Sequence, residues 1–423
     1  MSPEDEELMR GAIKEYYIES RDRIVVPGQI ASREFGYQKL GYDGMIRHQS
    51  VPDEGALRVL LVSEAPTDVY CSNARYLFPS MPMKEKEWQG ADIIFDIDAK
   101  DLDMPCREGH SVAVCSECSR VSPAGGKCSA CSSARVSARS LPCQKCIKAA
   151  HDETAKLHAI LCEDLGVDAG SITTYFSGNE GYHTHVRSAD LDALGGRERR
   201  ELADYVMFRG AMAEAYGVPR QGARRRDLPA RGERGWRGRL AAGLGADALK
   251  KAAAGGRDRF QGALEAASAS VGARIDPQVT GDIHRIFRLP GSLNGKSGLS
   301  KVPAGPSPAS IYADSCLLPD RPVEVTAECP HRFSIGRRRG LGPYSRERAT
   351  VPLYAAAYMV CKGIATAATA SSGAAGGQGV NSAPPGEGGR HCIASPRRAP
   401  PRPTPASTSD GASWRPSPSP AFS

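Results

Sequence analysis

The first stretch of the chain alternates apolar and polar residues with a helical period. Ser2-Pro3-Glu4-Asp5 opens it with a hydroxyl N-cap, Pro at the first helical position and acids in the first turn. Leu8, Ile13, Tyr16 and Tyr17 supply an apolar face. Leu57–Val62 is too short an apolar run for periodicity to choose between buried helix and strand. Val69–Cys71, Asp92–Asp98 (DIIFDID) and Ile172–Phe176 are short and rich in β-forming residues, which predicts strands. Leu157, Leu161 and Leu165 recur every fourth residue and predict a helix over His151–Leu165. Further helices are predicted over Arg197–Tyr216 and over the apolar run Val351–Ile364.

Composition narrows the class. The 423 residues are 40% hydrophobic and 24% charged, which excludes full disorder and a collagen-like chain and allows two or three domains. The net charge of +7 permits nucleic-acid binding without requiring it. No apolar run is long enough to span a bilayer, and the acidic start lacks an apolar signal region, so the expectation is an intracellular, cytoplasmic protein without membrane contact. From Thr366 the chain is mostly Ala, Gly, Ser and Pro, and 366–423 is expected to be a disordered tail. Residues 196–260 are rich in Arg, Ala, Gly and Glu. The arginine run within Pro219–Arg239 reads first as a solvated insertion, with a phosphate-contacting surface as the lesser reading.

Of thirteen cysteines, seven lie between Cys106 and Cys146, including three C-x-x-C pairs. In a reduced compartment that density points to structural zinc, one or two ions. Taken in chain order, Cys106, His110, Cys115 and Cys118 form one set of four ligands, and Cys128, Cys131, Cys143 and Cys146 a second. A ribbon of Cys115, Cys118, Cys128 and Cys131 is the alternative. Asp96 and Asp98 lie two apart in a predicted strand, so both carboxylates face one side, together with Ile94. Side-by-side anions at a strand end suit Mg²⁺ or Mn²⁺, although a D-x-D alone is more often a solvated strand end.

Context comes from three segments in fixed order: ADIIFDIDAKDL (Ala91–Leu102), YFSGNEGYHTHV (Tyr175–Val186) and DIHRIFRLPGSLNGKSGL (Asp282–Leu299). Together they resemble the small, catalytic subunit of archaeal and eukaryotic DNA primase, in its archaeal form. Shorter similarities at Arg33–Gly36, Gly44–His48, Gly342–Tyr344 and Val351–Ala365 extend the likeness over residues 5–365. The resemblance implies an α/β primase fold with a mixed central sheet. Residues 1–105 and 151–365 would form the catalytic domain, interrupted by a zinc-binding insertion at 106–150 and a helical, basic insertion at 196–260. It implies a catalytic carboxylate triad of Asp96, Asp98 and Asp276, with Asp282 as competitor for the third place, holding two Mg²⁺ or Mn²⁺. Ser177, His183, Arg288, Ser292 and Lys296 would serve the incoming triphosphate, and Glu34 and Arg47 would lie near nucleotide and template.

Two positions depart from the family pattern: Glu180 stands where Arg is usual, and Asn294 where His is usual. Each is expected to weaken triphosphate binding unless a neighbour such as Arg187 or Lys296 compensates. The implied function is primer synthesis on single-stranded DNA from ribonucleotides, with deoxynucleotides as alternative substrates and a large primase subunit as partner. The rival readings are an inactive nucleic-acid-binding scaffold and a stand-alone repair primase-polymerase.

Overall fold

A computed structural model describes residues 1–219 and 227–368. The N-terminal helix Pro3–Glu19 begins with a capping box between Ser2 and Asp5 and buries Met9, Ala12, Ile13, Tyr16 and Tyr17. The ambiguous run near Leu57 is helical, Glu54–Glu64, capped by Asp53. Four strands form one sheet in the order Ile286–Arg288, Asp68–Ser72, Glu34–Gln38 and Ile46–Ser50. A second sheet runs Val302–Pro303, Ile172–Phe176, Gly181–Val186 and Ile93–Asp98.

The single mixed sheet expected from the resemblance is therefore corrected to two separate four-stranded sheets. Every pairing within them is antiparallel. Hairpin-type neighbours such as Ile172–Phe176 and Gly181–Val186 need only a short turn, which favours antiparallel pairing. The sheets meet around Phe287 of the first, whose ring lies 5.8 Å from His183 and 6.2 Å from His185 of the second. Phe287 also packs with Ile94 and Val279 on the face that carries Asp96 and Asp98. Phe95 and Ile97 point the other way into the main core.

The helical insertion departs from its expected bounds. The first helix, Gly196–Val206, stops ten residues short of Tyr216. Phe208 takes a left-handed conformation (φ 53°) that turns its buried ring onto Trp236, centroids 4.6 Å apart. Tertiary packing thus overrides local propensity. Helices Gly235–Leu244, Ala246–Ala254 and Arg257–Val271 follow, so helical structure runs past 260 to Val271. Within the arginine run, residues 220–226 lie outside the described residues. Arg237 pairs with Glu233, Arg239 with Glu163 and Asp164, and Arg231 and Arg234 are exposed.

Near the end of the described chain, Leu353–Lys362 is the expected apolar helix, and Ala365–Ala367 adds a strand to Pro322–Cys329. The ordered chain thus continues past residue 365, because backbone pairing does not depend on side-chain size. The remainder of the expected tail, 369–423, lies outside the described residues. The helix Gln144–Ala159 carries Cys146, so the cysteine-rich segment runs into a helix. Among the described residues no helix is long and apolar enough to cross a membrane.

Arg199 fastens the helical insertion to the D-x-D strand. It is fully buried and donates to the carbonyls of Leu194 (2.8 Å), Asp92 (3.0 Å) and Ala91 (2.5 Å). Arg199→Met strands these acceptors in the interior and is expected to cost about 3 kcal/mol or more in a urea unfolding titration. A loss under about 0.5 kcal/mol, the size of a surface change, would show that the anchor is dispensable.

Candidate functional site

Register fixes the centre of the site. Across the antiparallel pair, His183 faces Asp96 and Gly181 faces Asp98. A Cβ on Gly181 would lie 2.4 Å from the carbonyl oxygen of Ile97, so glycine here lets the two strands approach. Gly178 (φ +82°) turns the preceding loop against Leu299 and Ser300. In this arrangement both glycines serve close backbone packing.

The third carboxylate comes from the far side of the helical insertion. The backbone N–H of Asp276 donates to the Asp96 carbonyl at 2.9 Å, and its side chain caps the short helix Pro277–Gly281 by accepting from Gln278. Asp96, partly buried, is pushed up to about 7, first by burial and then by the negative charge of Asp98 and Asp276. The competitor Asp282 caps His284 instead, and burial and charge at Asp96 name Asp276, not Asp282, as its neighbour. A buried carboxylate whose ionisation is opposed by burial and by two neighbouring anions is a candidate ligand for a divalent cation. Lys100 meets Asp98 at 2.8 Å.

His183 Nε2 lies 3.5 Å from Asp96 Oδ1, while its Nδ1 is buried without a partner. Burial, then Lys301, Arg288 and Arg285, hold its pKa well below the ordinary imidazole value, so it sits here as a neutral ring. Asn294 joins the two loops of the site: its Nδ2 donates to the Ser177 carbonyl (3.2 Å) and its Oδ1 accepts from Lys296 N–H (3.0 Å). Lys296 itself is exposed. The Ser177 hydroxyl accepts from Gly181 N–H at 3.3 Å.

Other expected nucleotide contacts are committed elsewhere. Arg288 is buried with Asp68 at 2.5 Å, donates to the Leu293 carbonyl and reaches the Tyr70 hydroxyl. Ser292 is fully buried and donates to the Leu289 carbonyl. Both therefore shape the 289–300 loop from inside. Arg47 lies 2.9 Å from the buried Glu34, which also holds Lys86 at 3.3 Å. Glu180 has two cations beside it, Arg107 at 3.5 Å and Lys362 at 3.7 Å. Arg187 lies 4.0 Å from Asp92, whereas Lys296 lines the same cavity as Glu180.

Two cavities flank Asp98. One, of about 380 Å³, lies toward the helical insertion and is lined by Asp276, Asp101, Arg209 and Arg274. The other, of about 540 Å³, is lined by Lys100, Arg107, Arg139, Lys296 and Lys362. Sequence reading passed over Arg107 and Lys362. Their only signals were adjacency to Cys106 and a lone cation at the end of an apolar helix.

The metal-ligating residues regroup. Cys106, His110, Cys143 and Cys146 bring their donor atoms within 4.8 Å of one another, as do Cys115, Cys118, Cys128 and Cys131. The chain-order grouping into 106/110/115/118 and 128/131/143/146 is thus corrected, and the ribbon alternative describes the second group. The cause is the hairpin Ser111–Cys115 against Val121–Pro123 and Val136–Ser140, which carries the first and last cysteines back together. Sγ–Sγ separations of 3.5 to 3.9 Å match the edge of about 3.8 Å in a tetrahedral thiolate site.

Because Asp96 binds its proton more tightly folded than unfolded, stability falls as pH rises from 3.8, the unfolded value, and the loss is complete above about 7. In EDTA-treated protein, Asp96→Asn is expected to match the wild-type melting temperature near pH 4 and to exceed it above pH 7, with Mg²⁺ closing the gap. Equal melting curves at every pH would contradict the crowding of carboxylates.

Residues 134–306 match the family described as DNA primase small subunit. The DNA primase small subunit PriS of Cenarchaeum symbiosum is 48% identical over 375 residues, spanning 87% of this chain and 100% of that protein. The PriS protein of Nitrosopumilus maritimus is 45% identical over the same shares. That of Pyrobaculum calidifontis is 31% identical over 65% of this chain and 71% of its own. With near-half identity along the whole of two such proteins, this chain belongs to the DNA primase small subunit family.

Proposed function

We propose that this chain is the catalytic subunit of a DNA primase, joining ribonucleotides into short primers on single-stranded DNA by two-metal nucleotidyl transfer. The reading is supported by the backbone bond from Asp276 N–H to the Asp96 carbonyl and by the influence of Asp98 and Asp276 on the buried Asp96. The two facing sheets serve as the primase fold, and the D-x-D strand is its working edge.

The three carboxylates would hold a pair of divalent cations, Mg²⁺ or Mn²⁺, which supply charge for deprotonating the attacking 3′-hydroxyl and for the departing pyrophosphate. Asp96 and Asp98 are fixed by strand alternation and Asp276 by its backbone bond to Asp96, so little reorganisation is needed as charge develops. His183, neutral and beside Asp96, offers a ring N–H to a phosphate oxygen without adding charge. Lys296 and Arg139 face the larger cavity, which accordingly takes the triphosphate. Arg209 and Arg274 line the smaller one, which suits the backbone of the growing strand.

Zinc suits both four-ligand groups, with a structural role. By family likeness a large primase subunit binds this chain, and deoxynucleotides remain alternative substrates. The site sits in a protein expected to work in the cytoplasm at the replication machinery. The names of the relatives, DNA primase small subunits, favour neither the scaffold nor the repair reading.

Asp276→Asn is expected to abolish template-directed synthesis, measured with labelled nucleotides and Mn²⁺, while the circular dichroism spectrum is kept. Wild-type synthesis in this variant would remove Asp276 from the triad. Metal analysis of protein purified without chelator is expected to give two zinc ions per chain, falling to one in Cys131→Ser; a wild-type value near zero would refute the metal assignment.

A further inference from the structure

The cavity beside Asp98 contains an anion where a triphosphate site should have none. Glu180 lines it, at the position where the family resemblance expects arginine. Its Oε2 lies 3.5 Å from Arg107 Nη1 and its Oε1 3.7 Å from Lys362 Nζ. Both separations exceed the 2.7–2.9 Å typical of a tight charge-assisted bond, so neither cation is fully consumed by Glu180. Counted together, Glu180, Arg107 and Lys362 carry −1 + 1 + 1 = +1, the charge of the single missing arginine.

The two cations are held from opposite sides. Arg107 lies in the turn Pro105–His110, between Cys106 and His110 of the first metal group. Its guanidinium donates to the carbonyl of Ala99, the residue after Asp98, and to Ser140 Oγ at 3.2 Å. Its Nε is buried with no hydrogen-bond partner. Lys362 ends the apolar helix Leu353–Lys362 and donates to Asn179 Oδ1 at 2.8 Å, in the loop between Ser177 and Gly181.

We propose that Arg107 and Lys362 together replace the family's arginine at position 180 as the phosphate-binding cations, with Glu180 as the positioning residue that holds both at the cavity. The cysteine-rich insertion thereby becomes part of the nucleotide site as well as a fold element. The inference rests on the polymerase reading above and deepens it by naming the residues that receive the triphosphate.

The test uses the full chain with its metals. Arg107→Gln should raise the KM for the incoming nucleotide about tenfold, the loss expected for one charge-assisted contact, with kcat largely kept. Arg107→Lys should recover most of that loss. Arg107→Glu should be worse, and adding Glu180→Arg to it should restore binding, since the trio then again sums to +1. Zinc content measured on each variant reports whether the insertion is intact. If Arg107→Gln releases metal, Lys362→Gln, outside the insertion, should give the same rise in KM.

Direct binding of a fluorescent ATP analogue separates the two claims. A wild-type chain that binds the analogue through Arg107 but makes no primer would defeat the polymerase reading and leave this site standing. Unchanged KM and unchanged analogue affinity in Arg107→Gln and Lys362→Gln, with synthesis intact, would overturn the proposal.

Discussion

The burial of Asp96 beside two further carboxylates, Asp98 and Asp276, is the constraint on which the proposed site depends. Asp96 and Asp98 share a face because a strand repeats every two residues, and Asp276 is drawn in by a backbone bond to Asp96. Burial first, and then the charges of Asp98 and Asp276, hold the proton on Asp96 up to about 7. The surrounding structure tolerates this because each segment is fixed elsewhere. Arg199 clamps the entry to the D-x-D strand, and Phe287 packs beneath its acidic face together with Ile94 and Val279. Rigid packing of this kind would keep a proposed cation site preorganised.

The distribution of positive charge follows from the same centre. Cations stand on both sides of Asp98, Arg209 and Arg274 toward the helical insertion and five others around the larger cavity. In the proposed function these two cationic surfaces would receive a triphosphate and a primer end from different directions. The buried pair of Arg288 and Asp68 does something else: it fixes the 289–300 loop from within, and Gly295 N–H donates to the same Asp68 at 3.1 Å. The motif that looks most like a phosphate binder is in this chain largely a scaffold for Asn294 and Lys296.

Much of this was legible in the sequence where one local rule decides the outcome. The capping box at Ser2, the alternation of Ile93–Asp98 and the apolar run ending at Lys362 each became the element their pattern implies. Asp276 was legible only through family likeness, since nothing local marks an N-cap aspartate as a partner of Asp96. Illegible features depend on contacts distant in sequence. The cysteines were grouped in chain order, whereas a hairpin regroups them in space. Glu180 read as a costly loss of charge because Arg107 and Lys362, 73 residues before it and 182 after it, could not be seen beside it. The helix after Gly196 was drawn too long because the pull of Trp236 on Phe208 leaves no periodic signal.

The central claim is that three distant carboxylates form one cation site, and Mn²⁺ titration followed by electron paramagnetic resonance in the presence of a nonhydrolysable nucleoside triphosphate tests it most directly. The account predicts two ions bound per wild-type chain, with clear loss of occupancy in each of Asp96→Asn, Asp98→Asn and Asp276→Asn. Undiminished binding in all three variants would contradict it.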